Sequence, residues 1–145
     1  MPIINKSALV SYSSSQMFML VNDVDSYASF LPWCRASKVL SRTDDEVRAM
    51  IEIAHGGLHK SFTTLNRLQA DKMVEMCLVE GPFRRLDGFW RFDSLGEHAC
   101  KVSLDLSFEF SSRLVAMAMG PIFSQITNSM VDSFCKRARD VYGKL

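Results

Sequence analysis

Few side chains in this sequence stand at spacings that chemistry uses. His55 and His59 form an H-x-x-x-H pair, which binds zinc when both imidazoles share one helical face. Here Gly56 and Gly57 lie between them and the flanking residues alternate as strands do, so the pair straddles a turn. No Glu follows His55, and a metal site is not expected. Cys34 with a distant histidine would make a thiol nucleophile and its base. Its neighbours Tyr27, Phe30, Leu31 and Trp33 are apolar, and apolar surroundings raise a thiol pKa and quiet it. There is no G-x-S-x-G elbow to present a serine nucleophile. "HGG" and "EGPF" are short turns that open no helix, so no phosphate loop is present. The four cysteines, Cys34, Cys77, Cys100 and Cys135, never form C-x-x-C and read as reduced buried thiols. Lys136, Arg137 and Arg139 cluster near the C-terminal end of a predicted helix, where cations complement the helix dipole. With Arg84, Arg85 and Arg91 they would also offer a surface to RNA phosphates.

The aromatic residues carry more. Trp33, Phe62, Trp90, Phe92, Phe108, Phe110, Phe123 and Phe134 fall on or beside predicted inner faces, together with Leu106, Met119, Ile126 and Met130. They describe either a filled core or the wall of a hollow. Gly88 beside Trp90, and Met119 and Met130 in the helix stripe, leave room and flexibility for a hollow. "YASFLPWCR" poses the same question locally. Pro32 forces a preceding helix to stop near Leu31, and Trp33 and Cys34 then begin a strand that closes one end of the space, as part of a lid.

These residues need a scaffold. The chain of 145 residues is long enough for one domain, residues 1–145, with a proper core. A formal net charge of +1 sets up no global field toward DNA or an anionic membrane. No apolar run is read as a membrane span, and no signal peptide is seen, which makes the cytoplasm the expected compartment. Residues 3–12 read as a strand. Ser13 to Ser15 cap a helix carrying Met17, Leu20 and Val21, and Asp25 or Ser26 caps a second short one. The period then changes to two. Val47, Ala49, Ile51 and Ile53 share a face, "LHKSFTTLNRLQ" continues as a strand, and "MVEMCLVEG" is apolar enough to be covered on much of both faces. Leu86, Gly88, Trp90 and Phe92 alternate in one strand, and Val102 to Phe110 in the next. From Val115 the period is helical. Val115, Met119, Ile122, Ile126, Met130, Phe134, Ala138 and Val141 form one stripe, interrupted at Gly120–Pro121, where a kink or restart is expected. Hairpin-linked strands imply an antiparallel sheet, and the long helix must bury its stripe against it.

This order of elements, with Val24-x-x-Tyr27-x-x-Phe30-Leu31-Pro32-Trp33-Cys34, Phe62-Thr63-Thr64-x-Asn66 and Gly81-Pro82-Phe83-x-x-Leu86-x-Gly88-x-Trp90-x-Phe92, resembles the START-like (SRPBCC, helix-grip) superfamily. Phe108-Glu109-Phe110 and Lys136-Arg137-Ala138-x-x-x-Tyr142-Gly143 extend the match. Within the superfamily it looks like the coenzyme Q-binding protein and ribosome association toxin RatA family, also described as polyketide cyclase/dehydrase-like. The resemblance implies an α+β helix-grip fold: a curved antiparallel sheet around a long C-terminal helix, with two short helices after the first strand. It implies non-catalytic binding of ubiquinone or a similar isoprenoid lipid between sheet and helix, in support of respiratory enzymes, at the periphery of the inner membrane. It implies no metal and no cofactor beyond that ligand. The alternative it carries is binding to the large ribosomal subunit, which blocks subunit association. The outer surface that would serve it is chiefly the basic set Arg84, Arg85, Arg91, Lys136, Arg137 and Arg139.

Overall fold

A computed structural model describes residues 3–55 and 57–143. The elements are β1 (Ile3–Val10), α1 (Ser14–Asn22), a 3-10 turn (Val24–Ser26), α2 (Tyr27–Phe30), β2 (Cys34–Arg42), β3 (Glu46–His55), β4 (Leu58–Gln69), β5 (Met73–Glu80), β6 (Phe83–Gly96), β7 (Ala99–Phe110) and α3 (Arg113–Tyr142). The seven strands form one antiparallel sheet in the order β1-β7-β6-β5-β4-β3-β2. β2 to β7 are a meander of hairpins, and β1 returns to pair with β7. The segment α1–α2 therefore runs from one edge of the sheet to the other, and α3 lies over the inner face. This is the expected α+β helix-grip architecture.

Local chemistry accounts for the boundaries. Ser13 and Gln16 form a reciprocal capping box at the start of α1. Leu31, held extended ahead of Pro32, ends α2 as the sequence predicts. Ser112 caps α3, and Gly143, at φ +80°, accommodates the turn that ends it. The hydroxyl of Tyr142 donates to Gln16 O at 2.9 Å, and that of Tyr12 donates to Gly143 O, tying the end of α3 to α1. Register shifts in β2, in β5 at Val79, and in β6 mark irregularities of the bulge type, which bend and twist strands.

Several expectations are corrected. β1 ends at Val10, two residues before the predicted Tyr12. β5 is covered on one face only: Val74 is buried, while Cys77 and Val79 are exposed, so Cys77 is not a buried thiol. α3 neither ends nor restarts at Gly120–Pro121. Pro121 is exposed, and Gly120 has no Cβ to meet the proline ring; the helix runs on although Pro121 has no N–H to donate to Met117 O. The buried stripe of α3 is Met119, Phe123, Ile126, Thr127, Val131, Phe134 and Ala138. Ile122, Met130 and Val115 are only half-buried, and Val141 is exposed. By length and composition alone α3 is apolar enough to cross a membrane, contrary to the expectation of no such run; in the fold its stripe faces the sheet.

Gly88 does not leave space beside Trp90 as expected. A Cβ there would stand 2.1 Å from Asp105 O and 2.8 Å from Leu106 Cα, so the glycine is required by the close approach of β7. Gly88→Ala is therefore expected to destabilise the protein by about 1–3 kcal/mol or more, read as a lower midpoint in urea unfolding.

Candidate functional site

Between the sheet and α3 lies a cavity of about 70 Å³. That is several times the roughly 10–15 Å³ that one water needs. Its wall is drawn from almost every element. Val24, Tyr27 and Trp33 come from the segment around α2, and Ala49, Ile51 and Ile53 from β3. Phe62, Thr64 and Asn66 come from β4, Met76 from β5, Leu86 and Trp90 from β6, and Leu104 and Leu106 from β7. Phe123, Ile126, Thr127 and Met130 of α3 close it. No charged side chain takes part.

Of the predicted pocket residues, Trp33, Phe62, Trp90, Leu106, Phe123, Ile126 and Met130 meet at this wall. Phe92, Phe108, Phe110 and Met119 do not. They share the inner face but lie beyond the hollow. Phe92 is packed edge-on to Phe18 of α1. Phe108 and Phe110 join Phe83 and Phe123 in an aromatic cluster, and Met119 is fully buried in the core. Period-two spacing identifies a face but not the depth along it. The wall residues not predicted include Thr64 and Asn66, which follow Phe62 at the strand period and were legible on that ground. Tyr27 and Val24 belong to the short helical segment, whose position only the fold determines.

Trp33 is 6% exposed, so it belongs to the wall and is not an outer lid. Leu31 and Cys34 beside it plug the core. Trp90 is 1% exposed and meets the ring of Phe134 edge-on at 5.1 Å. The polar groups of the wall are few and mostly engaged. Thr64 Oγ1 donates to Asn66 Oδ1 at 2.8 Å, and Thr127 Oγ1 donates to Phe123 O at 2.9 Å. The Tyr27 hydroxyl donates to Val21 O, and burial, reinforced by Asp23, raises its pKa and keeps it neutral. Trp33 Nε1 is the one buried side-chain polar atom with no partner among the described residues. An unmet buried donor costs about 1–3 kcal/mol.

The residues considered for catalysis are not assembled. His55 and His59 sit across the β3–β4 hairpin, where Ala54 is paired with His59, and His59 Nδ1 lies 3.4 Å from the Arg35 guanidinium. Among the described residues no group of three or more His, Cys, Asp or Glu is arranged to hold a metal. Burial raises the Cys34 thiol pKa, and its Sγ–H donates to Ala36 O at 3.4 Å.

The cationic residues fall on two separate surfaces. Arg84, Arg85 and Arg91 belong to β6 and are each ion-paired, to Glu109 at 3.4 Å, Asp87 at 2.9 Å and Asp93 at 3.4 Å. Arg85 and Arg91 point away from α3, since Leu86, Trp90 and Phe92 take the inner face. Lys136, Arg137 and Arg139 lie on the last turns of α3, and none of them is ion-paired among the described residues. Arg137 stands 4.9 Å over the ring of Phe30, and with Lys136 it borders a groove beside Leu31 and Pro32.

A family model described as polyketide cyclase/dehydrase and lipid transport matches residues 10–135. The chain belongs to this family, and its fold is that of the START-like superfamily. It is 48% identical over 140 residues to the protein named Ribosome association toxin RatA of Pseudomonas aeruginosa, covering 97% of both chains. It is 29% identical over 144 residues to Coenzyme Q-binding protein COQ10 homolog B of Xenopus laevis, where 97% of this chain spans 59% of that protein. A START superfamily protein of Mycobacterium smegmatis shares the fold at a TM-score of 0.79 and 16% identity, covering 96% of this chain and 98% of that one.

Two outcomes test this geometry. A thiol reagent at neutral pH should label Cys77 at once, and Cys34 and Cys100 only after unfolding. Burial, with Cys135 and Asp93 adding to it, pushes the Cys100 thiol from 9.0 up to about 11, so the native protein should still hold it protonated at pH 9–10. Trp90→Ala should cost about 3–5 kcal/mol of stability, measured by chemical denaturation, whereas Trp90→Phe should fold and lose less.

Proposed function

We propose that this protein acts as a RatA-type regulator: it associates with the large ribosomal subunit in the cytoplasm and opposes subunit joining. The observation that supports this reading most strongly is the 48% identity to a RatA protein over 97% of both chains. The contact surface we assign to it is the outward face of the last turns of α3. Among the described residues Lys136, Arg137 and Arg139 have no carboxylate partner, whereas Arg84, Arg85 and Arg91 are already ion-paired. A helix advances about 100° per residue, so Asp132 and Asp140 interleave with these cations on the same side. That tempers the patch and suits a contact of few phosphates more than wholesale RNA coating.

A second reading rests on the cavity. Its wall is apolar, aromatic and uncharged, as a hydrophobic ring requires. We propose that it accepts the ring of a polyprenylated quinone such as ubiquinone, without chemistry. The hollow of about 70 Å³ is roughly half the ~150 Å³ that takes up a benzene ring, so ring and tail alike require the wall to open, where Ile51, Met76 and Met130 are only half-buried. Such a ligand would bring the protein to the membrane periphery and to respiratory enzymes. The two readings use different sides of α3 and are compatible.

Cosedimentation with purified large subunits tests the first reading. The triple variant Lys136→Glu, Arg137→Glu, Arg139→Glu should abolish binding, and Arg85→Glu should change it little. Each phosphate contact contributes about −0.7 to −0.9 to the slope of log affinity against log salt, so three contacts give about −2 to −3. A salt-independent interaction, or a triple variant that still binds, would remove this face from consideration.

A further inference from the structure

The groove between the end of α2 and the last turns of α3 is open to solvent and holds about 530 Å³. That is more than three times the ~150 Å³ that takes up a benzene ring, so a planar base enters without any movement of the fold. Phe30 and Pro32 form one side, and Lys136, Arg137 and Asp140 form part of the other. The helix turns these three to one side because positions i, i+1 and i+4 span only about 100°. Two features separate the groove from a plain basic surface. Arg137 is half-buried, with its guanidinium 4.9 Å over the ring of Phe30. A guanidinium held in this way keeps a planar, charged surface on which a nucleobase stacks. Asp140 is exposed and has no ion-pair partner among the described residues, although Lys136 stands one turn before it. A carboxylate repels phosphate, so a groove for phosphate alone gains nothing from it. It accepts hydrogen bonds and donates none, and so favours a guest edge built of N–H groups. Guanine carries two such groups on adjacent atoms, in the fork that a carboxylate meets bidentately. Adenine, cytosine and uracil each offer one donor group beside an acceptor.

We propose that this groove holds a single unstacked guanine nucleotide of ribosomal RNA, its base against Phe30, Pro32 and the Arg137 guanidinium, its Watson–Crick edge on Asp140 and its phosphate on Lys136. The proposal rests on the large-subunit reading and names what that subunit presents to this face. Loops and bulges of RNA supply such bases, whereas a base inside a duplex is stacked and paired. Lys136 and Arg137 contribute the charge that holds the backbone. Asp140 is then the specificity residue, and its place among the cations has a reason.

The test uses the full chain with purified large subunits and with two RNA probes: a short oligoadenylate, and the same oligomer with one central guanine. In ¹⁵N NMR titrations the guanine oligomer should bind about fivefold more tightly or better, and it should move the backbone signals of α2 and of residues 133–140. Asp140→Asn should lose that preference and weaken cosedimentation with large subunits about fivefold. Charge alone predicts the opposite, since removing an anion strengthens binding to RNA. Arg137→Lys keeps the charge and loses the plane; it should weaken both interactions about fivefold to tenfold with the salt slope unchanged. Should that variant melt lower through its lost contact with Phe30, the exposed Asp140 decides by itself. Asp140→Asn cosedimenting as well as the wild type or better, or equal binding of the two oligomers, overturns the guanine site and leaves the cationic face as a phosphate contact. Weakened cosedimentation in both variants with no binding of either oligomer overturns it in favour of a segment of a ribosomal protein. Wild-type protein that does not cosediment with large subunits overturns the ribosome reading itself, and the guanine site with it.

Discussion

The structure depends on one contact: the apolar stripe of α3 laid across the inner face of the sheet. The helix is 30 residues long and lies over strands as long as β6 and β7, of 14 and 12 residues, so this contact runs along a long apolar stripe. Burial contributes roughly 25 cal/mol per Å² of apolar surface removed from water. Phe134, Ala138 and Met119 in the helix, and Val102, Leu104 and Phe108 in β7, are at most 1% exposed, which shows where that contribution concentrates. The rest of the chain serves this contact. The α1–α2 segment closes one end of the grip, and the tyrosines at 12 and 142 tie the helix terminus to it.

A helix laid on a curved sheet does not fill the space evenly. Toward one end Phe83, Phe108, Phe110 and Phe123 interlock, with Phe83 and Phe110 stacked at 5.2 Å. Elsewhere Phe30, Tyr27 and Trp90 converge on Phe134 at 5.1 to 5.3 Å. These clusters fill the aromatic positions, and the hollow remains among the wall residues beside them. It is a consequence of how large rings pack, and no single cavity-forming residue was needed. The same helix turns Lys136 and Arg137 outward, so one element bounds an apolar interior and presents a cationic exterior. Its two faces are free to serve different partners because charge on one side and packing on the other are independent.

Legibility in the sequence followed the strength of each periodic signal. The alternation from Val102 to Phe110 is regular, and β7 formed as read, with Cys100 extending its buried face. The α2 stop at Pro32 was legible because proline acts on its own neighbour, whatever the tertiary context. β5 misled because Met, Cys, Leu and Val in "MVEMCLV" satisfy a buried-strand pattern, yet Cys77 and Val79 on its outer face are exposed. At Pro121 the expected restart did not occur, since Gly120 presents no Cβ to the proline ring and the helix continues through it.

By itself the sequence determined the kind of protein: the order of strands and helices, the faces they bury, the antiparallel grip, and the membership of aromatic residues in one interior. These follow from local rules, since side-chain direction repeats every two or 3.6 residues and caps and prolines act on adjacent backbone. Only the tertiary structure decided which interior residues border a void. Phe108 and Leu106 share a strand face, but Leu106 meets the hollow while Phe108 meets Phe123 at 4.7 Å. Only the fold separated Arg84, Arg85 and Arg91 from Lys136, Arg137 and Arg139, because a carboxylate's distance from a guanidinium depends on which strands pair. And only the fold left Trp33 Nε1 without a partner among the described residues, since a donor's satisfaction is settled by every atom that surrounds it and not by its neighbours in the chain.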